Sequence, residues 1–282
     1  MTRTTPYIVK QTDRALETAI TFIQARQAGE ISYGRNGRSA GCVVTHPTFQ
    51  ERWLKVKWWA AGEMIRLAWD GELLAIDLHG VSKPRIYGFF DWEAIGICYR
   101  ATMMSVAPAF VSKSRLLDHA PVLEAQWWKQ LENAVTTIQA KQTDRTYIEY
   151  GRFARILKER FGLKVKLPLT SWQTAHGDLH WANLTAPEFS ILDWETWGGA
   201  PYGFDVAYLH VFSLTQPEIL MKLKDMFSAV MAKPEYDIAL LYVAAEVMGA
   251  LNIEGRSDEH RIALKREAER VLAERRFARF CE

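Results

Sequence analysis

The chain of 282 residues carries 35 Lys+Arg against 33 Asp+Glu, a formal net charge of +2, and so lacks the basic excess that nonspecific nucleic-acid binding requires. At 49% hydrophobic and 24% charged residues its composition is globular, and its length suits one large domain or two lobes. The sequence shows no apolar run near the roughly 20 residues of a membrane span, no apolar signal-peptide core in MTRTTPYIVKQTDRALETAITFIQ, and no CxxC spacing among Cys42, Cys98 and Cys281; a soluble, cytoplasmic protein with reduced thiols is expected.

Taken from the N-terminus, residues 11–27 place Leu16, Ile20 and Ile23 at helical spacing, with Thr12 as a cap. ISYGRNGRSAGCVVTHPTFQERWLKVKWW reads as a strand, a glycine-containing turn and two further strands. GELLAIDLHG predicts a helix ending near Gly80, and RIYGFFDWEAIGICYRATMM a hairpin around Asp91. From about residue 106 the pattern turns helical. Trp128, Leu131, Val135 and Ile138 form one stripe of a core helix, and YGRFARILKERFG is an amphipathic helix stopped by Gly162. A strand–loop–strand element over 172–194 precedes three helical patterns, EILMKLKDMFSAVMA, YDIALLYVAAEVMGAL and DEHRIALKREAERVLAERRFARF. The coarse pattern is a β-rich N-terminal lobe over residues 1–105 followed by a mainly helical C-terminal lobe over 106–282, an α+β chain.

The chemistry concentrates in HGDLHWANL, residues 176–184, and ILDWE, residues 191–195. Carboxylates set among apolar neighbours need partners, because burying them uncompensated costs several kcal/mol. A loop followed by a returning strand can bring Asp178, Asn183 and Asp193 to one point. Asn183 and Asp193 offer the hard oxygen ligands that Mg2+ takes, and Asp178 can accept a proton from an attacking hydroxyl. Metal, base and positioning are what phosphoryl transfer needs. A metal-dependent hydrolase would want more ligands at short spacing. Trp181, Trp194 and Trp197 read as packing residues, with substrate stacking as the alternative because they lie near this site.

These two stretches resemble the catalytic loop and metal-binding aspartate of the aminoglycoside phosphotransferase and choline kinase family, which shares the protein-kinase fold. Its H-G-D-x-x-x-x-N and D-W-E stand for the kinase H-R-D-x-x-x-x-N and D-F-G. The resemblance implies a bilobal protein-kinase-like fold, with Asp178 as catalytic base, Asn183 and Asp193 as metal ligands, and His176 as the brace of the loop. GAPYGFDVAYL resembles the family's G-D-P-x-x-D-L-A segment, which makes Asp205 a structural carboxylate; Ala200 stands where the family often has aspartate. In RWLKVKW, Lys55 and Lys57 share a strand face, and the family pattern favours Lys55 as the phosphate-binding lysine. Its helix partner is Glu72, with Glu63 as competitor. Ser39 and the glycines of SYGRNGRSAG are the candidate phosphate loop. Met104 and Ser105 mark the hinge whose backbone would meet adenine.

The implied activity is an ATP-dependent, Mg2+-requiring transfer of the γ-phosphoryl group to a small-molecule hydroxyl, with GTP as the alternative nucleotide. An antibiotic or related natural product is the first acceptor class. The alternatives are a metabolic kinase of an amino alcohol or sugar, and a pseudokinase binding module; the base, both metal ligands and a strand lysine oppose the latter. No nucleic-acid or membrane partner is expected, and the chain is expected to be a monomer or homodimer. Glu195, Glu246, Glu254, Asp258 and Glu259 are the candidate acceptor-binding carboxylates, a set that would favour a cationic acceptor.

Overall fold

The structure is a computed structural model that describes residues 6–34, 36–62, 66–254 and 258–282. The chain divides into two compact units, Met1–Trp69 with Lys83–Ala107, and Asp70–Ser82 with Pro108–Glu282. Residues 70–82 thus group with the helical unit and not with the sheet. The reason is apolar burial: Ala75, Leu78 and Val81 are part of the helical unit's core.

The first unit begins with α1 (Pro6–Phe22), followed by the short strands β1 (Arg26–Gln27) and β2 (Ser32–Tyr33). Then come β3 (Ser39–His46), β4 (Phe49–Ala60), the start of α2 (Arg66–Leu74), β5 (Ile86–Ala94) and β6 (Ile97–Met104). The strands form an antiparallel sheet in the order β1-β3-β4-β6-β5, with β2 also paired to β3. Strand alternation sorts β4 into two faces. Leu54, Val56 and Trp58 join Cys42, Val44, Tyr99 and Ala101 in a core packed on Ile8, Ala15, Leu16 and Ala19 of α1. The other face presents Trp53, Lys55 and Lys57, paired in register with Met104, Thr102 and Arg100.

Two sequence expectations change here. Thr12 does not cap α1; it is fully buried within the helix, hydrogen-bonded to the Gly37 carbonyl and accepting the Trp58 indole N–H at 2.7 Å. The hairpin does not turn at Asp91, which lies inside β5. The reversal is at Ile95–Gly96, both with positive φ (52° and 69°), as a tight two-residue hairpin turn demands. Asp91 instead makes a two-pronged ion pair with Arg100 on the neighbouring strand, at 2.7 Å for both bonds.

α2 starts earlier than GELLAIDLHG indicated and ends at Leu74, continuing as a 3-10 turn over Ala75–Asp77. The second unit then contains α3 (Ala125–Ala140), α4 (Tyr150–Phe161), β7 (Trp172–Ala175) and β8 (Gly198–Pro201). It closes with α5 (Phe204–Phe212), α6 (Pro217–Met226), α7 (Ser228–Met231), α8 (Pro234–Glu254) and α9 (Asp258–Glu274). Trp128, Leu131, Val135 and Ile138 are buried as one stripe of α3, and Gly162 ends α4 in the left-handed conformation. Every residue from Ile238 to Val243 on α8 is buried, which marks it as the helix at the centre of the unit. No helix among the described residues is long and apolar enough to cross a membrane.

β7 pairs antiparallel with β8, from Trp172↔Pro201 to Ala175↔Gly198. The strand returning after the motif therefore lies at 198–201, and Ile191 makes only an isolated bridge to Leu184. Asp193 has φ 61°, a left-handed conformation incompatible with a continuing strand. The whole HGDLHWANL…ILDWE stretch thus hangs as one loop between two paired strands.

Candidate active site

The loop is braced from beneath by two residues. His176 is fully buried, and its Nε2 lies 2.9 Å from the Leu192 carbonyl, joining the start of the loop to its far side. Burial holds its pKa down at about 4, so the ring is neutral at neutral pH. Asp205, in the first turn of α5, accepts the backbone N–H groups of His176 at 2.7 Å and Gly177 at 3.0 Å. Burial raises the Asp205 pKa to about 6 in spite of these donors. Gly177 (φ 86°) passes so close to the 196 backbone that a Cβ would come within 2.6 Å of the Thr196 carbonyl.

Asp178 follows at the turn. Its Oδ2 accepts Nη2 of Arg115 at 3.0 Å and faces Nε2 of His180 at 3.4 Å. Burial alone would raise its pKa, but the bond and charge of His180 and the guanidinium of Arg115 win, and the carboxylate is held at about 2. Arg115 and His180 both approach Oδ2, which leaves Oδ1 as the oxygen for a ligand. Asn183 donates its Nδ2 to the Asp178 carbonyl at 2.9 Å, which fixes the amide so that its oxygen is the outward atom. Asn183 also accepts the Leu192 N–H at its backbone carbonyl, 2.9 Å, one residue before Asp193.

Three carboxylates meet beside this loop. Ligand oxygens of Glu72, Asp193 and Glu195 all lie within 4.8 Å of one another. This donor set is all hard oxygen, which fits Mg2+ and not a thiophilic or imidazole-seeking metal. The sequence pairs Glu72 with Lys55 and offers Glu195 to an acceptor; the fold also brings both carboxylates to Asp193. The convergence is built by contacts that no motif announces. Trp197 donates its indole N–H to the Gly71 carbonyl at 2.8 Å. Arg145 stacks on the Trp197 ring, donates from Nε to the Trp197 carbonyl at 2.9 Å, and from Nη2 to the Glu195 carbonyl at 3.3 Å. Trp181, Trp194 and Trp197 are all buried, as packing residues are.

In the sheet unit, Lys55 is half-buried on β4, whereas Lys57 is 2% exposed and donates to the Ala68 carbonyl at 3.0 Å over the Trp69 ring. Ser39 stands directly opposite Lys57 at the start of β3, and its carbonyl accepts the Gly34 N–H at 2.9 Å, closing the glycine-containing turn. Met104 ends β6 opposite Trp53. Ser105 follows, exchanging hydrogen bonds with the Arg85 backbone at 2.8 and 3.0 Å. Glu63 lies outside the described residues.

Of the candidate acceptor carboxylates, two are paired with arginines. Glu246 is paired with Arg152 at 2.8 Å, and Asp258 with Arg261 in its own helix. Glu259 is exposed in the first turn of α9, a position that suits the helix dipole. The Glu254 side chain lies outside the described residues.

No family model and no curated protein matches this sequence. Solved structures do. An amicoumacin kinase in complex with AMP-PNP and Ca2+ superimposes with a TM-score of 0.60 at 13% identity, over 94% of this chain and 96% of that one. A thermostable aminoglycoside phosphotransferase with AMP-PNP and hygromycin B gives 0.59 at 10%, over 92% and 98%. A spectinomycin phosphotransferase with ADP and spectinomycin gives 0.53 at 11%, over 90% and 93%. At such identities the likeness establishes the fold: a kinase-like one, with an antiparallel sheet unit and a helical unit, shared with the aminoglycoside phosphotransferases.

Proposed function

We propose that the protein is an ATP-dependent phosphotransferase that moves the γ-phosphoryl group to a hydroxyl of a small molecule. The observation that carries this is Asp178: a carboxylate kept ionised, with one oxygen held by Arg115 and His180, in a loop whose Asn183 and Asp193 supply hard oxygen donors. Asp178 Oδ1 would orient the acceptor hydroxyl and take its proton. A carboxylate near pKa 2 is a weak base, so the proton moves late, once the hydroxyl has begun to bond to phosphorus; this suits a loose transition state. His176 and Asp205 keep the loop in shape. Asn183, Asp193 and the adjoining carboxylates would hold Mg2+, which when bound neutralises phosphate charge. Lys55 would contact the nucleotide phosphates, since the Lys57 ammonium is anchored to a backbone carbonyl. Most of the rate would come from positioning and charge compensation.

An antibiotic or related natural product is the first acceptor class, since amicoumacin and spectinomycin name the substrates of similarly folded proteins; an amino alcohol or sugar is the alternative. The test is ATP consumption with Mg2+ across panels of amino sugars, peptide antibiotics, nucleosides, amino alcohols and hydroxy acids, with ATP-induced thermal stabilisation measured in parallel. Turnover with one class, abolished in Asp178→Asn, is expected. Nucleotide binding without turnover on any panel would support the pseudokinase instead.

A further inference from the structure

Arg115 is presented by a built loop. Val111 N–H bonds the Leu184 carbonyl at 2.8 Å, and Ser112 Oγ bonds the Leu116 carbonyl at 3.0 Å. Ser112 Oγ also accepts the Ser114 N–H at 3.1 Å, and the Gln216 amide holds the Leu117 carbonyl at 3.2 Å. Leu117, two residues on, is buried. A side chain carried on such a frame has a fixed address. Yet its guanidinium makes a single hydrogen bond among the described residues, from Nη2 to Asp178 Oδ2, and the side chain remains 25% exposed. An arginine has five N–H donors in a planar fork, so most of this one's are available to a ligand beside the oxygen that would orient the reacting hydroxyl.

The surrounding charge points the same way. Asp178 is matched by Arg115 and Glu246 by Arg152, while Glu195 belongs to the oxygen cluster with Asp193. A ligand brought to Asp178 would meet the Arg115 guanidinium, which lies 3.0 Å from the same carboxylate. A structural ion pair has no need to sit on the base, where it weakens the proton acceptor. A recognition group does, because it must reach the atoms next to the reacting hydroxyl.

We infer that the acceptor is anionic: a hydroxy compound whose carboxylate or phosphate oxygens are taken by the Arg115 fork, next to the hydroxyl oriented by Asp178. Hydrogen bonds of about 2.9 Å on both sides call for a short spacing between hydroxyl and oxyanion, as in a β- or γ-hydroxy acid. Arginine is suited to this because its fork matches such oxyanions in a two-pronged geometry. The inference rests on the phosphotransferase reading for the hydroxyl's role, but the anion preference has its own readout in binding.

The experiment pairs hydroxy acids with their uncharged amides, using glycerate, 3-hydroxybutyrate, 4-hydroxybutyrate and larger hydroxy-acid natural products. Binding is followed by calorimetry and thermal shift, and turnover by ATP consumption, in the wild type, Arg115→Met and Arg115→Lys. Acids should bind the wild type about tenfold to hundredfold more tightly than their amides, the size expected for a hydrogen bond to a charged group. In Arg115→Met the acid-to-amide ratio should fall towards one, and Arg115→Lys, which keeps the charge without the fork, should fall between. Equal binding of acid and amide overturns the inference, as does no binding of any acid at millimolar concentration. So does a loss in Arg115→Met that is the same for acids and amides, which would assign Arg115 to the transferred phosphoryl group. Acid-selective binding without ATP turnover would sink the phosphotransferase reading and leave the anion site standing.

Discussion

Asp178 shows why a single side chain's environment matters more than its identity. Held near pKa 2 by His180 and Arg115, it is always ionised at neutral pH and never a strong base; what it provides is an oriented oxygen. Asp178→Asn keeps the shape and loses the charge. Turnover should fall by about two to four orders of magnitude, while ATP-induced stabilisation stays near wild type. Turnover within threefold of wild type would remove Asp178 from the chemistry. The two β4 lysines should separate by kind of damage. Lys57 is buried and bonded to the Ala68 carbonyl, so Lys57→Ala leaves that contact unmade and should cost roughly 1–3 kcal/mol of stability. Lys55→Ala should lower turnover and nucleotide affinity. Chemical denaturation and ATP kinetics on both variants decide it; a stable, inactive Lys57→Ala would exchange the assignments.

At the scale of elements, the decisive contact is that of α2 with the loop carrying Asp193. Gly71 lies against the Glu195 backbone, and a Cβ there would collide with the Glu195 carbonyl. Glu72 is the next residue, so the missing side chain is what lets three carboxylates converge. Gly71→Ala should push helix and loop apart. We expect a loss of about 1–3 kcal/mol from overpacking and a several-fold higher Mg2+ requirement for ATP-induced stabilisation, read by titrating Mg2+ against thermal shift. An unchanged Mg2+ requirement would detach Glu72 and Glu195 from metal binding. This convergence was not legible in the sequence, whereas HGDLHWANL was. The loop's parts are local, and their spacing brings them together. The position of Glu72 depends on the approach of two backbones, and that of Arg115 on an irregular loop 63 residues before its partner, with no periodicity to mark it. The same division appears in simpler elements. The α3 stripe follows from helical spacing, but the partners of Thr12 and Asp91, namely Gly37, Trp58 and Arg100, come from other elements and leave no local pattern.

For the molecule as a whole, the buried ionisable groups under the loop couple its stability to pH. His176 has a folded pKa of about 4 against an ordinary value of 6.5. Below 6.5 the unfolded chain takes up a proton that the folded chain refuses, so stability falls on acidification from 6.5 towards 4. The total is at most about 3 kcal/mol, a large part of a typical domain's 5–15 kcal/mol. Burial lowers His210 as well, adding in the same direction. Asp205 acts oppositely: raised from 3.8 to about 6, it binds a proton in the folded state first, and so favours folding as pH drops through 6 towards 3.8. Asp178 then removes stability only between 3.8 and about 2. The wild type should therefore weaken from near pH 6.5, less steeply below 6 where Asp205 offsets part of the loss, and weaken further below 4.5, where Glu267 and then Asp178 are held under their ordinary values. In His176→Gln the Asp205, Asp178 and His210 contributions remain, so subtracting the two profiles isolates His176. The variant can be less stable at pH 7.5, where the Leu192 contact is altered, yet the gap should narrow steadily between pH 6.5 and 4. Urea denaturation at half-unit pH steps measures it, and parallel profiles would show that His176 titrates alike in the folded and unfolded chain.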